Sequence, residues 1–269
     1  MPPILDITDL ADRSRAAEAT AEGSALFYAF GNFCALAAKP DRATLHAMNA
    51  LKGRPRDQVG SVTTTPEKAN RVFDWDAVKL PWSALMGTMA DLQALGPIGF
   101  RGPAAAHVPA HLTVDGTVQL ITPGDVCPSN GLVGEVLDLI GEELLYITSA
   151  NRNQHDTHYA IGEIRKDFGH RDDVVFIGHR NERANRRRYP HHRPCSTSIV
   201  NFQSGELVLE RHGSLDADLI ARVAAKHGLS LRVAAKHGLG LGVVAHERLP
   251  VRRYRHPLPI SRRARALAL

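Results

Sequence analysis

Two short polar clusters in this 269-residue chain have the residue types and spacing of groups that handle phosphate. The first is Lys52-Gly53-Arg54-Pro55. A lysine ammonium is a point charge and an arginine guanidinium a planar fork, so the two are complementary tools for phosphate oxygens. The second is Ser149-Ala150-Asn151, whose small side chains bond phosphate, ribose or a base edge without closing a cleft. Taken alone, the first cluster is equally an ordinary helix end, with a cation favoured by the helix dipole and a glycine cap. The second is equally a Ser or Asx turn after a strand.

The surrounding elements must place these groups. The spacing of Leu45, Met48 and Leu51 predicts a helix over 41–52, started by Pro40-Asp41 and stopped by Gly53 and Pro55. The run 144–148 reads as a buried strand ending in the Ser149 turn. Ligands of α/β sheets sit beyond the carboxyl ends of strands, which gives that turn a functional position. Further helices are expected over 9–22, 67–73, 82–95 and 132–140, and further strands over 25–30, 118–122, 174–178 and 198–202. The Gly-, Pro- and Ala-rich stretch 96–111 reads as a loop, and the polar stretch 178–194 as a loop or mobile lid. Strands alternating with helices argue for an α/β layered domain.

The order and separation of the two clusters resemble the YrdC-like family of threonylcarbamoyl-AMP synthases. That family's signature is a Lys-x-Arg pair and a Ser-x-Asn pair, here Lys52/Arg54 in LKGRPRD and Ser149/Asn151 in ITSANRN. The resemblance continues at Thr197-Ser198-Ile199-Val200-Asn201, where the family usually has Ser-Thr-Ile-Val-Asp, and at Leu209-Glu210-Arg211-His212-Gly213. It implies an α/β fold: a YrdC-like twisted mixed sheet with flanking helices and an open basic nucleotide-binding cleft. It divides the chain into an N-terminal helical segment (1–24), a YrdC-like domain (25–225) and a basic C-terminal extension with a short duplication (226–269).

By the same resemblance the chain is an ATP- and Mg²⁺-using L-threonylcarbamoyladenylate synthase-like nucleotidyltransferase. Its substrates would be threonine and bicarbonate, its by-product pyrophosphate, and its purpose the threonylcarbamoyladenosine modification of tRNA. Lys52 and Arg54 would be the catalytic pair and bind the nucleotide together with Ser149, Asn151, Thr197 and Arg211. Joining a carbamate carboxylate to a triphosphate brings several negative charges together, and fixed cations and donors lower that barrier.

The amino-acid half departs from the family pattern. Where members carry Pro-Thr-Asp/Glu-Thr-x-Tyr-Gly-Leu, this chain has Ala29-Phe30-Gly31-Asn32-Phe33-Cys34-Ala35-Leu36. Where they carry a Val-Arg-x-Pro strand, the match here is Leu120-Ile121-Thr122-Pro123, without its arginine. Asn32 and Thr122 are the substrate-binding candidates in these segments. These departures keep open a related carbamoyl-adenylate or carbamoyl-transfer enzyme with another acceptor.

Composition sets the outer limits. The hydrophobic fraction of 43% is ordinary for a globular protein, and no stretch approaches a membrane span. Cys34, Cys127 and Cys195 are isolated and odd in number, which argues against a disulfide framework and offers no metal pair. With an acidic N-terminus lacking a basic n-region, this points to the cytoplasm. His155, His158, His191 and His192 lack partners at zinc-ligand spacing, so no metal site is expected.

The net charge of +5 is uneven: 18 of the 33 basic residues but only 6 of the 28 acidic ones lie from Arg180 onward. That bias suggests contact with double-stranded RNA or tRNA through a basic face, or simply a solvated surface. A non-catalytic RNA-binding module is the remaining alternative, though few aromatics accompany the arginines for base stacking. A tandem decapeptide, RVAAKHGLSL at 222–231 and RVAAKHGLGL at 232–241, reads as a duplication extending a helix-turn. The arginine-rich tail beyond Gly242 reads as unstructured.

Overall fold

The computed structural model describes residues 1–153, 155 and 157–234. The arginine-rich tail and most of the second decapeptide lie outside the described residues. In chain order the strands are β1 (Ile4–Asp6), β2 (Ala25–Phe30), β3 (Phe33–Ala38), β4 (Ser61–Thr63), β5 (Ile98–Pro103) and β6 (Thr113–Val114). They continue with β7 (Thr117–Thr122), β8 (Leu145–Ser149), β9 (Val174–Gly178), β10 (Ile199–Asn201), β11 (Leu207–Arg211) and β12 (Leu231–Val233). The helices are α1 (Leu10–Ala21), α2 (Arg42–Lys52), α3 (Trp82–Leu95), α4 (Ser129–Ile140), α5 (Ile161–Phe168), α6 (Glu182–Arg186) and α7 (Ala217–Lys226).

The strands form one twisted mixed sheet in the order β1-β9-β2-β3-β8-β4-β7-β5-β10-β11-β12, with β6 paired to β7. Its third and fourth strands from the β1 edge are the antiparallel hairpin β2–β3, in which every strand residue is buried. Strands covered on both faces need apolar side chains at every position, which is why ALFYAF and FCALAA show no alternation. One face is covered by α2, α3, α5 and α7 through Leu45, Met89, Phe168 and Ile220. The other is covered by α1 and α4 through Ala16, Ala17, Leu132 and Val136, with Arg13 and Glu135 paired at 2.9 Å on their surface. Residues before Ala25 thus supply α1 to this layer and β1 to the sheet edge, parallel to β9.

Helix α4 does not reach across the whole sheet. Over β4, β7 and β5 the face is open, and alternate residues turn into a cleft. Along β7, Val118 and Leu120 enter the core while Thr117, Gln119 and Ile121 line the cleft, the period-2 pattern of a strand with two different faces.

Four segments differ from the sequence expectation. The stretch 96–111 contains β5, whose residues pair with β7 from Ile98↔Thr122 to Pro103↔Thr117. Gly99 and Gly102 are packing sites, not turn signals: a Cβ on Gly102 would lie 2.2 Å from the Phe202 ring. Residues 67–73 hold only a 3₁₀ turn, Ala69–Val72. The duplication does not extend a helix-turn at its junction. Val223 and Ala224 of the first copy are buried in α7, whereas Arg232 and Val233 of the second pair with Val208 and Leu209 in the sheet. Tertiary partners override the shared local preference.

The fourth is 178–194, which is anchored at three points. Asn185 of α6 donates to the Gly31 carbonyl at 2.9 Å, Tyr189 is buried, and His192 bridges Ser214 Oγ (2.9 Å) and the Leu95 carbonyl (3.1 Å). A carbonyl only accepts, so Nε2 of His192 carries the proton and Nδ1 accepts from the serine hydroxyl. Burial pulls this imidazole down to about 4 from its usual 6.5. The unfolded chain therefore takes up a proton that the folded chain refuses, and stability falls as pH drops from 6.5 towards 4. Urea denaturation should show the wild-type protein losing up to about 1.4 kcal/mol per pH unit in that window relative to His192→Gln. Superimposable acid profiles would refute the assignment.

Candidate functional site

The site starts at the C-terminal end of α2. Asp41 caps its first turn through the Thr44 amide, and Gly53 ends it in the left-handed conformation with φ 68°. The chain turns there, so Lys52 and Arg54 both reach the end of β8. Thr148 Oγ1 accepts from Lys52 Nζ at 3.1 Å and from Arg54 Nη1 at 2.7 Å. Lys52 Nζ also donates to the Ser149 carbonyl and stands 3.4 Å from Ser149 Oγ. Asn49, fully buried in α2, holds the next loop by donating to the carbonyls of Arg56 (2.8 Å) and Gln58 (2.9 Å).

Lys52 is 2% exposed. Among the described residues neither it nor Arg54 has a carboxylate partner, and Arg54 Nε is buried without an acceptor. Burial, reinforced by the Arg54 charge, pulls the ammonium down to about 6 from its usual 10.5. An arriving anion would offset that desolvation and restore the charge. An arginine and a lysine that regains its proton as an anion arrives, sharing one hydroxyl, form an anion receptor rather than a structural ion pair.

A cavity of about 260 Å³ opens in front of them. Its cationic end is lined by Arg54 and Arg211 with Thr148, Ser149 and Thr197. Its floor is Ser61, Gln119 and Arg101, and its walls include Phe33, Leu112 and Ile147. Among the described residues no Asp or Glu lines it. Arg211 Nε donates to the Thr197 carbonyl at 2.7 Å, joining the end of β11 to the segment before β10. Gly213 makes that approach possible, because a Cβ there would lie 2.2 Å from the Ser196 carbonyl oxygen and 2.3 Å from the Ser198 nitrogen.

Arg54, Ser149, Thr197 and Arg211 therefore line one cavity, and Lys52 lies directly behind Thr148 and Ser149. Three other candidates are placed elsewhere. Asn151 is buried and donates to the carbonyls of Arg152 (3.0 Å) and His155, holding the following loop. Asn32, in the β2–β3 turn, donates to the Arg193 carbonyl at 3.2 Å, and its neighbour Phe33 lines the cavity. Thr122 is buried against the Ile98 carbonyl at 3.3 Å, and Ile121 lines the cavity beside it.

Arg101, Gln119 and Ser61 were not singled out from sequence. A signal existed: Phe100-Arg101-Gly102-Pro103 carries the Arg-x-Pro pattern sought at Leu120–Pro123, but sits in the stretch read as a loop. Cys34 is buried in the core, and burial pushes its thiol up, which leaves it unreactive.

No family model matches this chain, and no curated protein matches it in sequence. Solved structures do match, and they show the α/β fold of the Sua5 and YrdC-like proteins. A double variant of P. abyssi Sua5 superposes with a TM-score of 0.67 at 19% identity, over 87% of this chain and 66% of that one. Sua5 of P. abyssi complexed with L-threonine gives 0.63 at 18% identity, over 84% and 60%. E. coli YciO gives 0.60 at 16% identity, over 80% and 98%. The matched part of the Sua5 chains is thus under two thirds of their length.

The buried lysine generates a pH prediction. Between pH 6 and 10.5 the unfolded chain binds a proton at Lys52 that the folded chain lacks, so this group makes stability rise with pH. Chemical denaturation from pH 7 to 10 should show the wild-type protein gaining on Lys52→Met by up to about 1.4 kcal/mol per pH unit. A constant difference would mean that Lys52 stays protonated in the fold.

Proposed function

We propose that this chain is an ATP-dependent nucleotidyltransferase of the threonylcarbamoyl-AMP synthase kind. In this reading it joins threonine, bicarbonate and ATP into threonylcarbamoyl-AMP, releases pyrophosphate and serves tRNA modification in the cytoplasm. The observation that carries the reading is the pair Lys52 and Arg54 at the end of β8, which have no carboxylate partner among the described residues and stand beside a cavity whose described lining holds no acid. Such a receptor suits a polyanion better than a neutral ligand.

The residues divide the work by charge. A carbamate oxygen attacks the α-phosphorus while pyrophosphate leaves, so charge accumulates on phosphoryl oxygens. Arg54 supplies a planar fork to those oxygens, and Lys52 regains its proton as they approach. The Ser149 hydroxyl and the Thr197–Arg211 pair hold the adenylate side. Among the described residues the lining offers hydroxyls and no carboxylate, and no group of three His, Cys, Asp or Glu exists to cage a metal. Mg²⁺ suits this site as a companion of the triphosphate, held by phosphate oxygens and water, where it would neutralise developing charge. Threonine as acceptor is supported by the P. abyssi Sua5 structure that contains it.

Phe33 favours a second reading. It occupies the cavity wall in the segment where the resemblance leads one to expect polar amino-acid contacts, so another acceptor remains compatible with the same adenylate chemistry. Full-length HypF, solved in a phosphate- and nucleotide-bound form, shares the fold at a TM-score of 0.53 and 14% identity, over 75% of this chain and 29% of its own.

Pyrophosphate release from ATP, bicarbonate and Mg²⁺ tests both. Threonine should stimulate release by the full chain, and Arg54→Met should lower the rate by about 100-fold or more, the scale of losing one transition-state donor. Stimulation by a different amino acid or amine would select the second reading. No release with any acceptor from folded protein would end the proposal.

A further inference from the structure

The cavity floor carries a hydrogen-bond row whose direction is fixed. Glu210 on β11 holds Arg101 on β5 by an ion pair of 2.9 Å, and Asn201 Nδ2 donates to the same carboxylate at 3.0 Å. Arg101 Nη2 donates to Gln119 Oε1 at 2.7 Å, and Gln119 Nε2 donates to Ser61 Oγ at 2.5 Å. Arg101 and Gln119 are direct cross-strand partners, which sets their spacing.

An arginine has no acceptor, so the Gln119 amide has only one productive orientation. Its NH₂ must then face Ser61, and the serine oxygen is used as an acceptor. What remains for a ligand is the Ser61 O–H, the second Gln119 N–H and the spare N–H groups at the Arg101 tip. Donors therefore predominate, the acceptors left being the second lone pairs on Ser61 Oγ and Gln119 Oε1. A carboxylate, which only accepts, matches a row rich in donors better than an adenine edge, which needs both donors and acceptors. Triphosphate charge is better met by Arg54 and Lys52, which have no carboxylate partner among the described residues, whereas Arg101 is ion-paired to Glu210.

We infer that the Ser61–Gln119–Arg101 row is a carboxylate subsite, which holds the carboxylate of the amino-acid acceptor. The inference rests on the adenylate reading above for what occupies the other end of the cavity. Gln119 is its specificity-determining residue, because it converts the fixed Glu210–Arg101 pair into a donor at Ser61. Asn201 supports the row, since an amide there can donate to Glu210 where an aspartate would repel it.

The test is calorimetric titration of the full chain, saturated with a non-hydrolysable ATP analogue and Mg²⁺. The probes are L-threonine, L-serine, L-alanine and L-leucine, each compared with its own carboxamide. The wild-type protein should bind at least one acid ten times or more tightly than its amide. Gln119→Leu should reduce that preference to under threefold, and so should the milder Ser61→Ala, while each changes affinity for the ATP analogue by less than threefold. Thermal melts establish that both variants are folded.

Acid and amide binding equally well to the wild-type protein would overturn the inference, as expected if the row instead held bicarbonate. Preference retained in both variants would overturn it too, and in either case the adenylate reading stands. If the folded protein bound neither the ATP analogue nor any probe, the proposed function would fall, and this subsite with it.

Discussion

A buried lysine amine with no carboxylate partner among the described residues is the constraint around which this site is arranged. Removing a lysine charge from water costs several kcal/mol even after relaxation, and an unpaired one sheds its proton instead. Lys52 meets that cost with the Ser149 carbonyl and the Thr148 hydroxyl, both at the last turn of β8. Helix α2 must therefore end where it does, and Gly53 must turn the chain so that Arg54 comes back to the same threonine. The strand end, the helix end and the loop pinned by Asn49 are one unit.

The sheet supplies the other half of the geometry by being wider than its covering helices. Helices α1 and α4 bury one part of a face, and the uncovered part over β4, β7 and β5 becomes the cavity floor. A floor made from strand residues is precise, because cross-strand partners are spaced by the ladder rather than by loop conformation. The Glu210–Arg101–Gln119–Ser61 row uses that precision to give a polar surface a direction. The cavity thus joins Arg54, which has no carboxylate partner among the described residues, to Arg101, which is ion-paired to Glu210, within the same few strands.

The reading from sequence succeeded where one residue pattern has one structural outcome. Asp41, the spaced apolar residues and Gly53 specified α2 to within a residue, and LLYIT specified β8. It failed where glycine has two meanings. Gly96 does end α3, but Gly99 and Gly102 are small because Ile121, Ile199 and Phe202 already occupy the space their side chains would fill, and no local signal separates that from a turn. Reading a loop there hid Arg101. The candidates Asn32, Asn151 and Thr122 lie beside the site and hold backbone carbonyls. A polar residue next to a cleft in sequence can point into it or brace it, and a single chain looks the same in both cases.

The sequence by itself determined the Lys52/Arg54 and Ser149 clusters, the elements that carry them and the layered α/β class. Each of these depends on periodicity, capping or residue chemistry within a few neighbours. Only the tertiary structure decided that Lys52 lies behind the cavity while Arg54 faces it, that Arg101 lines that cavity from β5, and that it is hydrogen-bonded through Gln119 to Ser61. Those facts depend on which strands become neighbours and which part of a face the helices leave open. Both are set by packing between residues tens of positions apart, which leaves no mark on local spacing.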